Sequence, residues 1–164
     1  MMRAARWLLL PLLVATLIGC GFQLRGTGQT AVLPFDTVVV TAPSGPYPLR
    51  AEIVDVLRGN NVTVLEESPA GYQLVLSAER NERRAISINT RARAGQYELT
   101  LSVEAALYLD GQLIGGPATF RARDNFYEDT ANITGSNSGL ELTLGDLRRD
   151  LAGQIIRRIQ ALDL

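Results

Sequence analysis

Arginine is the residue type through which this chain can do most of its binding chemistry. All sixteen basic residues are arginine, histidine is absent, and there is a single cysteine. Guanidinium groups are planar forks that hold phosphate or carboxylate through paired hydrogen bonds. Most metal sites and histidine-assisted nucleophilic catalysis lack their usual groups here. The composition therefore favours recognition of anions over catalysis, and it predicts neither a bound metal nor a cofactor.

The densest arginine cluster lies in residues 78–93, AERNERRAISINTRAR. Five arginines and two glutamates give this segment a local charge of 5 − 2 = +3, in a chain whose formal net charge is −1. One interpretation is a solvated hairpin tip with internal ion pairs. The other is an anion site in which arginines bind phosphate while Ile86 and Ile88 meet acyl chains. Nucleic acid is disfavoured, because no aromatic stacking residue lies here. The candidate binding residues are Arg80, Arg83, Arg84, Arg91 and Arg93.

A second polar cluster, Asp124–Asp129 (DNFYED), has the composition of an acidic turn. Its spacing does not match the calcium loop of an EF-hand. The sequence also lacks a glycine-rich phosphate loop and a nucleophile elbow. A solvated loop is the favoured interpretation, and the chain is predicted not to be an enzyme.

The cysteine directly follows an apolar run near the amino terminus. Residues 1–6 are basic, and Trp7–Ile18 is apolar over about twelve residues. A bilayer-spanning helix needs about 20 residues, so this run fits the hydrophobic region of a secretory signal instead. The run ends in Leu17-Ile18-Gly19-Cys20, which resembles the bacterial lipobox. The alternative is a chance cysteine after an ordinary signal.

The lipobox interpretation makes Cys20 a lipid anchor that carries diacylglycerol and palmitate, with no redox or catalytic role. The predicted organisation is a lipoprotein signal peptide over 1–19, a lipidated tether over 20–33 and a single domain over 34–164. Two or three acyl chains give stable anchoring where one would be marginal. Aspartate after the cysteine tends to retain such proteins at the inner membrane. Gly21 therefore implies the outer membrane of a Gram-negative cell, with the domain facing the periplasm.

A long alternating stretch is the clearest structural pattern. Between Gln96 and Asp110 the odd positions are apolar and the even positions are mostly polar. Such alternation predicts a strand with one buried face and one wetter face. Asp110-Gly111 is a hairpin turn signal. The returning strand is expected within Gln112–Phe126, with a break at residues 115–117.

The preceding strand should carry the arginine cluster back onto this long strand. Residues 90–95 would form the turn. Six apolar residues of this segment share one parity: Tyr72, Leu74, Leu76, Ala78, Ile86 and Ile88. In the predicted register, the residue numbers of paired positions on the two strands sum to about 185. This register places Arg84 opposite Leu101, and it also puts Glu82 and Arg80 on the face that should be buried. Either a bulge re-aims these side chains, or the sheet extends beyond its helices there. Such conflicts are expected at functional surfaces.

The remaining elements frame this sheet. Strands are predicted at Asp36–Thr41 and Val62–Leu65, and between them a helix begins near Pro48 with Gly59 as its C′ residue. The predicted fold is α+β, with two helices packed on one face of a mixed, mostly antiparallel four- or five-stranded sheet.

The second predicted helix begins at a capping box, Ser138–Glu141, after an irregular loop over 130–138. Its apolar stripe runs from Leu140 to Leu162 at steps of three and four residues. Four arginines lie off the stripe and are expected to be solvated or paired with nearby acids: Arg148, Arg149, Arg157 and Arg158.

Three stretches together resemble the family of LPS-assembly lipoproteins called LptE. They are CGFQLRG at residues 20–26, ARAGQYEL at residues 92–99 leading into the long strand, and FRARDNFY at residues 120–127 followed by a loop and a helix. The resemblance covers essentially all of the mature chain. It implies two helices on a mixed four-stranded sheet.

The resemblance also implies a function. Family members plug the outer-membrane β-barrel LptD, assist its assembly and contact lipopolysaccharide (LPS) during its transport to the outer leaflet. The hairpin arginines would then bind phosphates or carboxylates of LPS, and polar residues on the wrong face would meet the polar barrel lumen. Residues 130–138 contain no basic residue, so any anion site rests on the hairpin. Two alternatives remain: a periplasm-facing adaptor of another envelope secretion or transport complex without LPS binding, and a hydrolase or metal-binding lipoprotein.

Overall fold

Six strands and two helices make up the part of the chain that the structure describes. This structure is a computed structural model, and it describes residues 33–88, 94–129 and 131–162. The described residues form one compact unit. In chain order the elements are β1 (Thr37–Thr41), α1 (Pro48–Gly59), β2 (Thr63–Leu65), β3 (Tyr72–Leu76), β4 (Arg80–Ile88), β5 (Ala94–Leu109), β6 (Gln112–Tyr127) and α2 (Ile133–Gln160).

Strand β5 is the strand of a mixed six-stranded sheet with which β3, β4 and β6 all pair. β3 and β4 pair with it end to end along one edge, β6 pairs along the other edge, and all three pairings are antiparallel. β1 lies between β2 and β3 and is parallel to both. The predicted α+β fold class is confirmed. The sheet has six strands because the segment expected to form one strand before β5 is divided into β3 and β4.

Both helices cover the same face of the sheet, as predicted. The apolar odd positions of β5, such as Leu101 and Val103, are buried beneath them, as are Ile53 of α1 and Leu151 of α2. The helices also pack against each other. Each fully buried leucine or isoleucine contributes about 1.5–3 kcal/mol relative to an exposed one. The opposite face, which we call the open face, carries the even positions of β5, the even positions of β4 from 80 to 84 and the odd positions of β6 from 119 to 127.

The two ends of the long sheet differ in what they carry. The proximal end contains the start of β1 and the turn at Asp110-Gly111, whose φ angles of 51° and 80° fit a type I′ hairpin. The distal end contains the β4–β5 connection, the end of β6 and the start of α2. The sixteen residues of β5, at about 3.4 Å each, separate these ends by about 50 Å along the strand.

The expected break in β6 is a bulge rather than an interruption. β6 runs without a gap through residues 115–117, and its register against β5 shifts near Leu107. Gly116 has φ 93°, and a Cβ there would lie 2.7 Å from the carbonyl oxygen of Ala105. The backbones therefore approach so closely that only glycine fits, and the two extra residues of β6 are absorbed without ending the strand.

The predicted helix ends need correction at two places. Helix α2 begins at Ile133, so the predicted loop over 130–138 and the capping box at Ser138 are wrong. The side chain of Asn132 accepts a hydrogen bond from the Gly135 amide at 2.9 Å and caps the helix earlier. Gly59 is the last residue of α1, and the left-handed position falls on Asn61, with φ 62°.

Candidate functional site

The described arginines of the cluster lie on β4, and a bulge decides which way they point. Leu76 pairs with Ala105 of β5, and Arg80, four residues later, pairs with Ser102, which is only three residues further along β5. One extra residue lies between β3 and β4, and each later side chain therefore moves to the other face. The predicted sum of 185 is wrong, and of the two explanations for the charge conflict, the bulge is the one observed.

This bulge puts Arg80, Glu82 and Arg84 on the open face. Their partners on β5 are Ser102, Thr100 and Glu98, in place of the buried residues that the predicted register gave. The Arg84 guanidinium lies 3.1 Å from the Glu98 carboxylate, and 74% of its side chain is exposed. The open face at β4 is therefore charged and hydrated.

Arg83 points the other way, onto the apolar face. Its guanidinium carbon lies 3.5 Å from the centre of the Tyr97 ring and 5.8 Å from that of Phe126. The same guanidinium pairs with Glu128 at 3.0 Å. This arrangement combines a cation–π contact with an ion pair, so Arg83 covers the distal end of the core. Its guanidinium is thus bound within the domain, and it lies on the opposite face of the sheet from Arg80 and Arg84.

The other predicted site residues differ in what the structure says of them. No carboxylate in the described parts of the chain pairs with the Arg80 guanidinium, which leaves it available for a ligand. Arg91, Arg93 and Cys20 lie outside the described residues. Their roles in anion binding and lipidation stay predictions.

Two further arginines of the open face escaped the sequence prediction. Arg121 of β6 pairs in register with Ser102, and Arg123 with Thr100, so both point away from the helices. Neither guanidinium has an ion-pair partner within 4.0 Å among the described residues. The alternation of Phe120, Arg121, Ala122 and Arg123 around the buried Ala122 was the pattern that could have revealed them.

A partly buried ion pair holds the bulge from the helix side. Glu79 accepts hydrogen bonds from the Arg148 side chain at 3.1 Å and from the Leu49 amide, in the first turn of α1, at 3.2 Å. Only 13% of the Glu79 side chain and 18% of the Arg148 side chain are exposed. The carboxylate thus neutralises an arginine of α2 and the positive end of the α1 dipole at once. We call this contact the bulge anchor.

Tyr47 completes the bulge anchor. Its hydroxyl donates a hydrogen bond of 2.5 Å to the Ser77 carbonyl, at the start of the bulge. Burial raises the pKa of Tyr47 to about 12; the neighbouring Glu79 carboxylate adds to this rise and Arg148 opposes it. Both ends of the bulge are therefore fixed by side-chain contacts.

The arginines of α2 are mostly paired, as expected. Arg148 belongs to the bulge anchor, Arg149 pairs with Asp146, and Arg157 lies 4.0 Å from Asp150. The acidic cluster at residues 124–129 forms no metal site with other described residues, and its Glu128 is the partner of Arg83. Neither helix in the described ranges has an apolar stretch long enough to cross a bilayer.

The fold is that of several bacterial lipoproteins of known structure. An NMR structure of lipoprotein B from Nitrosomonas europaea superposes with a TM-score of 0.67 at 25% identity, over 86% of this chain and 91% of that one. A minor lipoprotein from Acinetobacter baumannii gives a TM-score of 0.65 at 22% identity, over 79% of this chain and 94% of that one. The fold therefore defines an α+β domain of the bacterial lipoprotein class.

The sequence comparisons identify the family. The family model described as "LptE: Lipopolysaccharide-assembly" matches residues 35–159. The LPS-assembly lipoprotein LptE of Photorhabdus laumondii is 30% identical over 155 residues, covering 93% of this chain and 83% of the relative. The LPS-assembly lipoprotein LptE of Yersinia enterocolitica is 30% identical over 158 residues, covering 93% of this chain and 73% of that relative. This chain belongs to the LptE family.

Membership confirms the resemblance seen in the three sequence stretches. The family consists of non-enzymatic LPS-assembly lipoproteins, and the chain is accordingly an envelope lipoprotein of LPS transport and assembly. The prediction that it is not an enzyme is confirmed on this ground. The hydrolase alternative is therefore set aside.

Proposed function

We propose that this protein is an outer-membrane lipoprotein, anchored through Cys20, that plugs the LptD β-barrel, assists its assembly and binds LPS during transport. Family membership over residues 35–159 carries the proposal. The described surface agrees with a plug, because its open face is charged and suits a polar barrel lumen.

The distal end supplies a second argument for this role. Arg84 is largely exposed there, and Ile86, exposed to 42%, lies two residues further along β4. An exposed cation and an exposed apolar side chain on the same strand suit an amphiphile that carries both phosphate and acyl chains. We therefore place the LPS site along β4 toward the distal end, with Arg84 and, nearer the middle of the sheet, Arg80 contributing, and with Arg91 and Arg93 as further candidates. Arg83 is excluded, because its guanidinium is already bound within the domain.

The barrel partner is tested by purifying the full-length lipoprotein from outer membranes without crosslinking and identifying co-eluting proteins by mass spectrometry. The proposal expects LptD in near-stoichiometric amount. A different envelope complex in its place would favour the adaptor alternative and overturn the plug.

The LPS site is tested separately, with purified full-length protein and LPS. Changing Arg80, Arg84, Arg91 and Arg93 together to serine should weaken LPS binding at least tenfold, because each lost charge-assisted hydrogen bond contributes about 1.5–3 kcal/mol. The matched control changes Arg149 and Arg157 of α2, both exposed, to serine and should leave binding unchanged. Equal binding by both variants would overturn the site and leave the plug untouched.

A further inference from the structure

A polar cavity of about 280 Å³ opens on the open face, away from the distal end. The side chains that matter for its chemistry come from the bulge and three strands: Ser77, Arg80, Ser102, Glu104, Thr119 and Arg121. The bulge creates this cavity, because residues 77–79 leave the regular ladder opposite Glu104. The bulge anchor on the other face of the sheet holds the cavity wall in place.

Two cations and one anion line this cavity without an ion-pair partner among the described residues. Arg80 and Arg121 both pair in register with Ser102, from opposite sides of β5, so they flank one central hydroxyl group. Glu104 lies two residues further along β5 on the same face. Among the described residues, none of these three charged groups forms an ion pair. Nearby Arg83 and Arg84 are both paired. Arg123, another open-face arginine without an ion pair among the described residues, does not line the cavity.

We propose that this cavity binds a phosphoethanolamine group, a phosphate ester that carries a primary ammonium two carbons away. The guanidinium forks of Arg80 and Arg121 would hold the phosphate oxygens, with the Thr119 hydroxyl as a further donor. The ammonium, which has three donors and no acceptor, would bind the Glu104 carboxylate. A simple anion site would not explain Glu104, because a carboxylate in the same cavity repels phosphate.

The group has two chemical sources: the headgroup of a phospholipid, or a substituent on a larger saccharide. The proposal does not rest on LPS binding at the distal end. The two are also separable by experiment, because Arg121 and Glu104 belong to the cavity alone.

The test is an NMR titration of the full-length protein in non-ionic detergent, in which the arginine Nε–Hε signals are followed. Added O-phosphoethanolamine should shift the signals of Arg80 and Arg121 saturably. Arg121→Gln should weaken this binding at least tenfold, since it removes a charge-assisted pair of hydrogen bonds. The matched control, Arg123→Gln, changes an open-face arginine of the same strand outside the cavity and should leave the affinity unchanged.

Glu104→Gln separates a zwitterion site from an anion site. It should weaken O-phosphoethanolamine binding about threefold while strengthening the binding of inorganic phosphate. A variant that strengthens both ligands, or a wild-type protein without saturable shifts, overturns the proposal. Short-chain phosphatidylethanolamine in the micelles then identifies the source. Tighter binding than the free headgroup assigns a phospholipid, and equal binding assigns a substituent without acyl chains.

Discussion

Arg83 shows how the register of one strand decides the role of an arginine. Its neighbours Arg80 and Arg84 point to the open face, whereas Arg83 stacks on Tyr97 and pairs with Glu128. A cation–π contact contributes about 0.5–1 kcal/mol and a partly exposed ion pair about 0.2–1 kcal/mol. Arg83→Ala should therefore lower the free energy of unfolding by about 1–2 kcal/mol, as measured by urea denaturation of the full-length protein.

Arg84→Ala is the matched control, because its side chain is 74% exposed and its one ion pair lies at the surface. It should change the free energy of unfolding by less than about 0.5 kcal/mol. Arg83→Lys, which keeps the charge and loses the planar fork, should fall between the two. Equal stabilities for all three variants would mean that Arg83 is as free for ligands as its neighbours.

Tyr47 gives the bulge anchor a dependence on alkaline pH. Its pKa rises from 10.0 in the unfolded chain to about 12 in the domain, so the folded state holds the phenol proton more tightly. The stabilisation is complete below pH 10 and disappears as the pH rises through 12. The stability advantage of the wild type over Tyr47→Phe should therefore shrink across this interval in parallel urea titrations. A constant advantage would show that the hydroxyl does not ionise with the expected shift.

At the scale of the elements, the bulge between β3 and β4 is held by Glu79. Removing this carboxylate leaves Arg148, only 18% exposed, without a counter-ion and the Leu49 amide without its acceptor. Breaking a buried ion pair costs about 3–5 kcal/mol, and slightly less where some solvent reaches it. Glu79→Ala should lower the free energy of unfolding by about 2–4 kcal/mol. It should also accelerate hydrogen exchange at the Glu104 amide, which donates to the Ser77 hydroxyl across the bulge.

Glu66→Ala is the control for this change. Glu66 also pairs with an arginine near α1, Arg50, but 85% of its side chain is exposed, so about 0.5 kcal/mol or less should be lost. The double variant Glu79→Met with Arg148→Met should be more stable than Glu79→Ala, because no charge is left buried alone. A double variant of the same stability as Glu79→Ala would argue against a charge-based anchor.

Periodicity predicted the elements better than their register. The alternation of β5, the Asp110-Gly111 turn and the stripe of α2 are local patterns, and the structure contains each of them. The bulge at residues 77–79 depends on Glu79 meeting Arg148, which lies 69 residues away in sequence. No local pattern encodes such a contact, so the faces of Arg80, Arg83 and Arg84 could not be predicted. The start of α2 was missed because its first turns are solvent-exposed and carry no apolar stripe.

At the scale of the whole molecule, four of the five exposed large apolar side chains of the described residues lie toward the distal end. Leu33 leads into β1 at the proximal end, and Cys20 precedes it in sequence. Three large apolar side chains are prominent toward the distal end: Tyr127 at 69%, Ile133 at 69% and Leu142 at 70% exposure. Exposed apolar surface of this kind marks contact with a partner or an amphiphile. The distal end is therefore expected to form the contact with the proposed barrel partner.

Cysteine labelling can test this polarity without background, because Cys20 is the only thiol and its acylation would leave the mature chain with none. Tyr127→Cys and Ile133→Cys should react with a maleimide in the isolated lipoprotein and be protected in the complex from outer membranes. Leu113→Cys, at the proximal end and 48% exposed in the wild type, should react in both states. Protection confined to residue 113 would reverse the orientation. Protection at all three positions would mean that the partner encloses the whole sheet, because the distal and proximal ends lie about 50 Å apart along β5.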